Sequence, residues 1–237
     1  FSVPRRLGMS DRMEASEVDG RPRIIPNRRT VGEGTLEVVS TGFLVEESTA
    51  LMWRGLMLTK AVEQFLNDVA WGDLDYLLID MPPGTGDVQM GLARMLPRTE
   101  MLIVTPPARA AQKVAQRAAD MARRSFLPVI GVVENMSAFV CDQGKSYALF
   151  GSGGGAELSD DIGAPLLASI PLEPQLAAGG DSGEPVVIDG DGPSAEVLRA
   201  LAERIAEEVA PARADDIDMS GCSARLLDAV AAALDGV

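Results

Sequence analysis

The sequence contains no histidine. This absence excludes catalytic triads, general bases and zinc sites that depend on an imidazole. Only two cysteines are present, Cys141 and Cys222, and they lie far apart in the chain. Cysteines this sparse predict free thiols in a reducing cytoplasm rather than a disulfide framework.

Long apolar runs are also missing. Without about 18 consecutive apolar residues, the sequence predicts no membrane-spanning helix. The formal net charge is −14 at pH 7, which argues against nonspecific binding to nucleic acid. We therefore expect neither a membrane nor a nucleic acid as a partner, and we interpret the acid-rich residues 181–237 as a solvated surface.

The residues that are present fit a soluble α/β domain, with 46% hydrophobic and 24% charged. Strand and helix periodicities alternate along most of the chain, which predicts a doubly wound, mainly parallel sheet in three layers. The predicted strands are 36–43, 75–80, 101–105, 129–133 and 166–170. The predicted helices are 55–70, 87–95, 108–124, 155–162 and 194–209.

The chain divides into one domain over residues 1–210 and a tail over residues 211–237. We expect residues 1–35 to be a loop with one short helix. The tail reads as an acidic linker followed by a short amphipathic helix over residues 224–234. Because the polar face of that helix is net acidic, the sequence favours docking on its own domain or a partner over docking on a membrane.

The most informative stretch is residues 74–91, LDYLLIDMPPGTGDVQMG. A short apolar run ends in Asp80, and a turn with two prolines and two glycines follows. An isolated acid at that place is more often the N-cap of the next helix. The stiff loop instead favours a functional acid at the carboxyl end of a buried strand, where nucleotide hydrolases order Mg²⁺.

Other strand ends are expected at the same edge of the sheet. They are those at Thr105, Asn135 and Pro171, which together with Asp80 would line a ligand site. The side-chain amide of Asn135 could read a base edge, since it both donates and accepts hydrogen bonds. A helix-capping or turn role for Asn135 is an equally good interpretation.

A phosphate cradle is not visible in these 237 residues. The nearest match to GxxxxGK[ST] is residues 139–146, where Phe139 replaces the first glycine, and we interpret it as unrelated. The glycine-rich residues 151–155 contain no lysine and read as a loop leading into a helix. We expect the cradle to precede Phe1, and we expect this chain alone neither to bind ATP tightly nor to hydrolyse it.

Several segments in order resemble the Mrp/ApbC family of ATP-binding iron–sulfur cluster carriers, within the MinD/ParA-type class of P-loop NTPases. The segments are DYLLIDMPPGTGD at 75–87, GVVENMS at 131–137, GFLVEES at 42–48, MWRG at 52–55, AAQKVAQRA at 110–118, LFGSGGG at 149–155, IPLEP at 170–174 and GEPVV at 183–187. The resemblance implies an N-terminally truncated P-loop ATPase domain that acts as a cytoplasmic homodimer with client iron–sulfur apoproteins. A ParA/MinD-like positioning or scaffold ATPase and a non-catalytic pseudo-ATPase are the alternatives.

The resemblance also implies roles for individual residues. Asp80 would hold Mg²⁺ through water, and Gly84 would contact the γ-phosphate. The other residues implied at the nucleotide are Pro83, Thr85, Asn135, Pro171 and Pro174. A [4Fe–4S] cluster would bridge two subunits through a Cys-Pro-x-Cys motif, of which Cys141 is present while Gly144 stands in place of the second cysteine.

Overall fold

The computed structural model describes residues 2–18, 20–43, 55–81, 87–141 and 143–211. Pro83, Gly84 and Thr85 lie outside these residues, as does the tail from residue 212. The division of the chain near residue 210 therefore stays a prediction. No helix in the described part is long and apolar enough to cross a membrane.

The amino-terminal part contains two β-hairpins, so the loop predicted for residues 1–35 was wrong, while the short helix predicted there is present. Helix α1 comes first, and the strands then pair antiparallel, β1 with β2 and β3 with β4. The elements are α1 (Val3–Arg6), β1 (Glu14–Val18), β2 (Arg21–Ile25), β3 (Asn27–Val31) and β4 (Gly34–Val38), followed by a 3₁₀ turn at Thr41–Phe43. These strands are short, β2 and β3 carry two arginines each, and Val38 is the one buried residue among them, so they lack the apolar alternation that identifies a strand from sequence.

Two helices follow, α2 (Gly55–Asn67) and α3 (Asp87–Met95), as the sequence predicts. The strand predicted between them at residues 75–80 is absent. This segment is largely exposed, with Leu78 86% exposed. A strand requires neighbours for its backbone N–H and C=O groups, and no described strand pairs with this segment. The segment contacts the rest of the described domain through the Tyr76 hydroxyl, which donates a hydrogen bond to the Ala210 carbonyl at 3.0 Å.

The central sheet consists of parallel strands in the order β5–β6–β8, with the short β7 antiparallel to the end of β6. Its strands are β5 (Met101–Thr105), β6 (Val129–Val140), β7 (Ser146–Tyr147) and β8 (Leu166–Leu172). Strand β6 is longer than predicted because it continues past Asn135 into a hairpin. Strand β8 continues through Pro171, which is tolerated because β8 pairs on one side only among the described residues.

Helices cover both faces of this sheet. The helices are α4 (Arg109–Arg124), α5 (Gly154–Ile162), α6 (Pro174–Ser182), α7 (Val186–Asp189) and α8 (Pro193–Arg204), with a π turn at Ile205–Val209. Successive strand residues point to opposite faces, so Val132 packs with Ala119 of α4 and Leu158 of α5, while Val133 packs towards Leu201 of α8. The described domain is therefore a three-layer α/β structure, as predicted.

Candidate functional site

The carboxyl ends of β5, β6 and β8 meet at one edge of the sheet. Thr105 lies opposite Glu134 in the register of β5 with β6, and Asn135 lies opposite Ile170 in the register of β6 with β8. Pro171 follows directly. The structure thus brings Thr105, Asn135 and Pro171 to a common edge, but it does not place Asp80 there on a strand.

Asn135 is held at a bulge in β6. Between Asn135 and Phe139 this strand advances four residues while β8 advances two, from Ile170 to Leu172. Met136, the first residue of the bulge, has a positive φ of 57°, which is uncommon for a residue with a side chain. Its backbone N–H donates to Oδ1 of Asn135 at 2.9 Å. Bulges of this kind re-aim side chains next to functional sites.

The side chain of Asn135 retains the capacity to recognise a ligand. Its Oδ1 has a second lone pair beyond the one that Met136 uses. Its amide nitrogen donates no hydrogen bond to any described residue. The half-buried amide can therefore present one donor and one acceptor to a ligand, which is the pattern that pairs with adenine.

Glu134 is a site residue that the sequence reading missed. Its side chain is 6% exposed, and its Oε2 accepts the backbone N–H of Gly155 at 2.6 Å. That N–H belongs to the first turn of α5, where helical N–H groups have no partner within the helix. A carboxylate is favoured at this end of a helix by the helix dipole. Glu134 thus joins the end of β6 to the glycine-rich residues 151–155.

The start of α5 also lies against the loop that follows β5. A Cβ atom on Gly154 would lie 2.3 Å from the carbonyl oxygen of Pro107 and 2.0 Å from Nε2 of Gln112. Gln112 Nε2 in turn donates to the Pro107 carbonyl at 2.9 Å. Only glycine permits this approach. The loop after β5, the start of α4 and the start of α5 therefore form one closely packed unit.

The end of β8 is fixed by α8. The Ser194 hydroxyl donates to the carbonyl of Pro171 at 3.1 Å, and the Ser194 N–H donates to Glu173 Oε2 at 2.7 Å. Ser194 lies within α8, whose N-cap, Gly192, has no side chain with which to cap the helix. Glu173 provides the capping carboxylate instead. Pro171 and the exposed Pro174 bracket this fixed turn.

The two predicted metal-binding residues lie in different surroundings. Asp80 is exposed, and the described residues contain no group of three or more histidine, cysteine or acidic side chains suited to a metal. Cys141 is a half-buried free thiol after β6. Its N–H donates to the Lys145 carbonyl at 3.1 Å, and its own carbonyl accepts from the Gly144 N–H at 2.8 Å. Cys222 lies outside the described residues.

The same hairpin explains the partial match to a phosphate loop at residues 139–146. Phe139 pairs with Tyr147 across β6 and β7, and the ammonium of Lys145 lies 5.1 Å from the centre of the Tyr147 ring. A phosphate loop would connect a strand to a helix N-terminus. This segment connects two antiparallel strands, which agrees with its interpretation as unrelated.

Comparison with known proteins identifies related chains. A family model described as ParA: NUBPL iron-transfer P-loop NTPase matches residues 1–206. The iron–sulfur cluster carrier protein of Mycobacterium leprae is 40% identical over 209 residues, which cover 85% of this chain and 52% of that protein. The protein of the same name from Saccharolobus solfataricus is 38% identical over 208 residues, covering 86% of this chain and 68% of that protein.

A solved structure shows the same architecture. The nucleotide-binding protein of Archaeoglobus fulgidus, in complex with ADP, aligns with a TM-score of 0.64 and 29% sequence identity. The alignment covers 81% of this chain and 72% of that one. The chain spans about half the length of several of the curated relatives it matches.

Proposed function

This chain belongs to the NUBPL iron-transfer family of P-loop NTPases, and we propose its function on that basis. The α/β P-loop NTPase fold predicted from the sequence is thereby confirmed. The proposed function is that of an ATP-dependent carrier which delivers iron–sulfur clusters to client apoproteins in the cytoplasm. The names of the relatives and the ADP-bound structural neighbour support it. The proposal that the chain binds a nucleotide rests on the side-chain amide of Asn135, which is available to a ligand at the strand edge.

The roles proposed for Asn135, Pro171 and Pro174 are supported by their positions at the strand edge, and those for Asp80, Pro83, Gly84 and Thr85 by the family to which the chain belongs. Asn135 pairs with the adenine edge, and Pro171 and Pro174 flank the base. Mg²⁺ commonly takes one or two protein carboxylates and completes its shell with water and phosphate oxygens, so the single exposed carboxylate of Asp80 suits it. Bound there, Mg²⁺ would neutralise charge on the phosphates. Gly84 contacts the γ-phosphate, and Pro83 and Thr85 complete the turn that holds it.

The proposed chemistry is slow hydrolysis of the terminal phosphoanhydride of ATP by water. Catalysis of this kind rests on positioning and electrostatic stabilisation and needs no covalent nucleophile from the protein. We place the nucleotide near the interface of a homodimer, whose rearrangement on hydrolysis would couple ATP to cluster transfer.

The base-recognition role makes a testable prediction. Asn135→Ala should weaken the binding of adenosine monophosphate about tenfold, because two hydrogen bonds of about 1 kcal/mol each are lost with partial compensation by water. The preference for adenosine over guanosine monophosphate should disappear as well. Titrations followed by amide chemical shifts measure both effects on the whole chain, even if the dissociation constant is about 1 mM.

Asn67→Ala is the matched control, since it removes an exposed amide at the end of α2. It should bind both nucleotides as the wild type does. Equal affinity of wild type and Asn135→Ala for both nucleotides would exclude the role of Asn135. Micromolar binding of Mg-ATP to this chain would show that it contains a phosphate cradle not recognised in its sequence.

The cargo role rests on Cys141, which we place as a cluster ligand; one from each of two subunits supplies two of the four ligands that a [4Fe–4S] cluster takes. Thiolates are the usual ligands of iron–sulfur clusters. Anaerobic reconstitution with iron and sulfide should give visible absorbance and bound iron in the wild type, and Cys141→Ala should lose both. Cys222→Ala should retain them. A cluster that survives Cys141→Ala with unchanged iron content would refute the ligand assignment.

A further inference from the structure

A groove of about 610 Å³ lies between the carboxyl-terminal halves of α3 and α4, away from the strand edge described above. We call it the α3–α4 groove. Its principal lining residues are Met90, Arg94, Arg117, Met121, Arg124 and Phe126. All but Phe126, which follows α4, recur at spacings of three, four and seven along the two helices, so one face of each helix forms a wall.

The groove is basic on a chain whose net charge is −14. Arg94, Arg117 and Arg124 are exposed, and none of them forms a salt bridge with an acid in the described ranges. Asp120 is the single acidic residue among those that line the groove within the described part. A cationic groove on an acidic protein is complementary to an acidic segment.

The groove also exposes apolar surface. Met90 is 43% exposed and Phe126 is 91% exposed. Phe126 has a positive φ of 58°, a conformation that is uncommon for a bulky residue. Its N–H donates to the Arg123 carbonyl at 3.1 Å, which holds the backbone in that turn. An occupant with both acidic and apolar side chains would match the groove.

We propose that the α3–α4 groove binds the acidic carboxyl-terminal segment of the same chain, through residues 215–219. These are Asp-Asp-Ile-Asp-Met, in which acids alternate with Ile217 and Met219. The carboxylates pair with the unpaired arginines, and the two apolar side chains cover Met90 and Phe126. This role is separate from nucleotide and cluster binding.

The position of the chain where the described part ends supports this occupant. Ile205 and Val209 pack against the apolar cluster that contains Leu201, as does Leu102 of β5. The preceding residue, Met101, packs against Ala93 and Leu127 in the cluster below the groove. The end of α8 and the groove therefore lie near β5 on opposite faces of the same sheet. Fully extended, residues 211–219 span about 28 Å, which is nearly three times the spacing of about 10 Å between packed layers.

The test uses the full chain and the cysteine in its tail. With Cys141 changed to Ser, a spin label attaches to Cys222, which is within about 25 Å of Asp216 even in extended chain. Proximity of the label lowers amide peak intensities. We expect intensity to be lost at Arg94, Ser125 and Phe126 and recovered when the label is reduced. Asp215→Lys with Asp216→Lys should abolish the loss without touching the folded domain.

A charge swap makes the test specific. Arg94→Glu with Arg124→Glu should also abolish the loss, and combining it with the two lysine substitutions in the tail should restore it. Arg109→Glu is the matched control, because this exposed arginine lies at the opposite end of α4. It should leave the pattern unchanged. High salt should weaken the contact, since the groove charges are exposed.

Three results would overturn the proposal. Loss of intensity on another surface would mean that the tail docks elsewhere. No loss anywhere would mean that the tail does not dock. Loss of intensity in a mixture of isotope-labelled, spin-free protein with spin-labelled protein would mean that a second copy of the chain, and not the same chain, fills the groove.

Discussion

Replacing Gly154 with alanine should lower the free energy of unfolding by about 3 kcal/mol, near the upper end for overpacking a buried site. The added Cβ would lie 2.3 Å from the carbonyl oxygen of Pro107. That oxygen is backbone and cannot turn aside like a flexible side chain. The start of α5 must then move away from the loop after β5. Urea unfolding followed by circular dichroism measures the change.

Gly34→Ala is the control for this substitution. A Cβ there would meet only the Val31 carbonyl oxygen, at an ordinary 3.5 Å, and Gly34 has no positive φ. Its stability should stay the same or rise slightly, because alanine reduces the entropy of the unfolded chain. If Gly154→Ala unfolds at the same urea concentration as the wild type, the contact between α5 and Pro107 is not as close as described.

Replacing Glu134 with alanine should cost about 2–3 kcal/mol of unfolding free energy, the value of a buried hydrogen bond to a charged group together with the unpaired N–H it leaves. Gly155 would lose the acceptor at 2.6 Å, and no water can enter easily at a position 6% exposed. Glu134→Gln keeps an acceptor oxygen and should cost only about 1 kcal/mol. The same denaturant titration measures both variants.

Glu157→Ala is the matched control, because Glu157 is an exposed acid in the same first turn of α5. Its loss should cost about 0.3–1 kcal/mol, the usual value for an exposed charge near a helix end. A Glu134→Ala variant no less stable than Glu157→Ala would contradict the view that Glu134 joins β6 to α5. Since Glu134 precedes Asn135, we expect base recognition to weaken in Glu134→Ala as well.

Elements with a strong local period could be predicted from the sequence. Helix α4 and strand β5 were predicted within one residue because their apolar residues follow a single period. Prediction failed where the outcome depends on distant neighbours. Residues 75–80 have the composition of a buried strand, yet no described strand lies beside them. The hairpins of residues 14–38 are real but were not predicted. Their sequence hides them, because arginines occupy positions that would be apolar in a typical strand pattern.

The location of the site could be predicted in part. The carboxyl ends of parallel strands share an edge, so Thr105, Asn135 and Pro171 were found from strand order alone. The Glu134 contact could not be found, because its partner Gly155 lies on a different element. The sequence offered one signal for this contact: Glu134 is an acid near a strand end, and the glycine-rich residues 151–155 precede a later helix. The positive φ of Met136 has no sequence signature, since methionine does not favour that conformation.

The unusual length of β6 has a mechanical consequence. Strand β6 is the central strand of the sheet, and it runs from Val129 past Asn135 to Val140, one residue before Cys141. Because the bulge uses four residues where β8 advances two, these two candidate positions are roughly 13 Å apart at about 3.3 Å per residue. Phe139, between them, is paired with Tyr147 on one side and Leu172 on the other, so the far segment is stiff. The bulge at Met136 lies between the Asn135 amide and this paired segment. In the proposed function, a nucleotide bound at Asn135 would thus be linked to the Cys141 thiol through this bulge, along a single covalent segment.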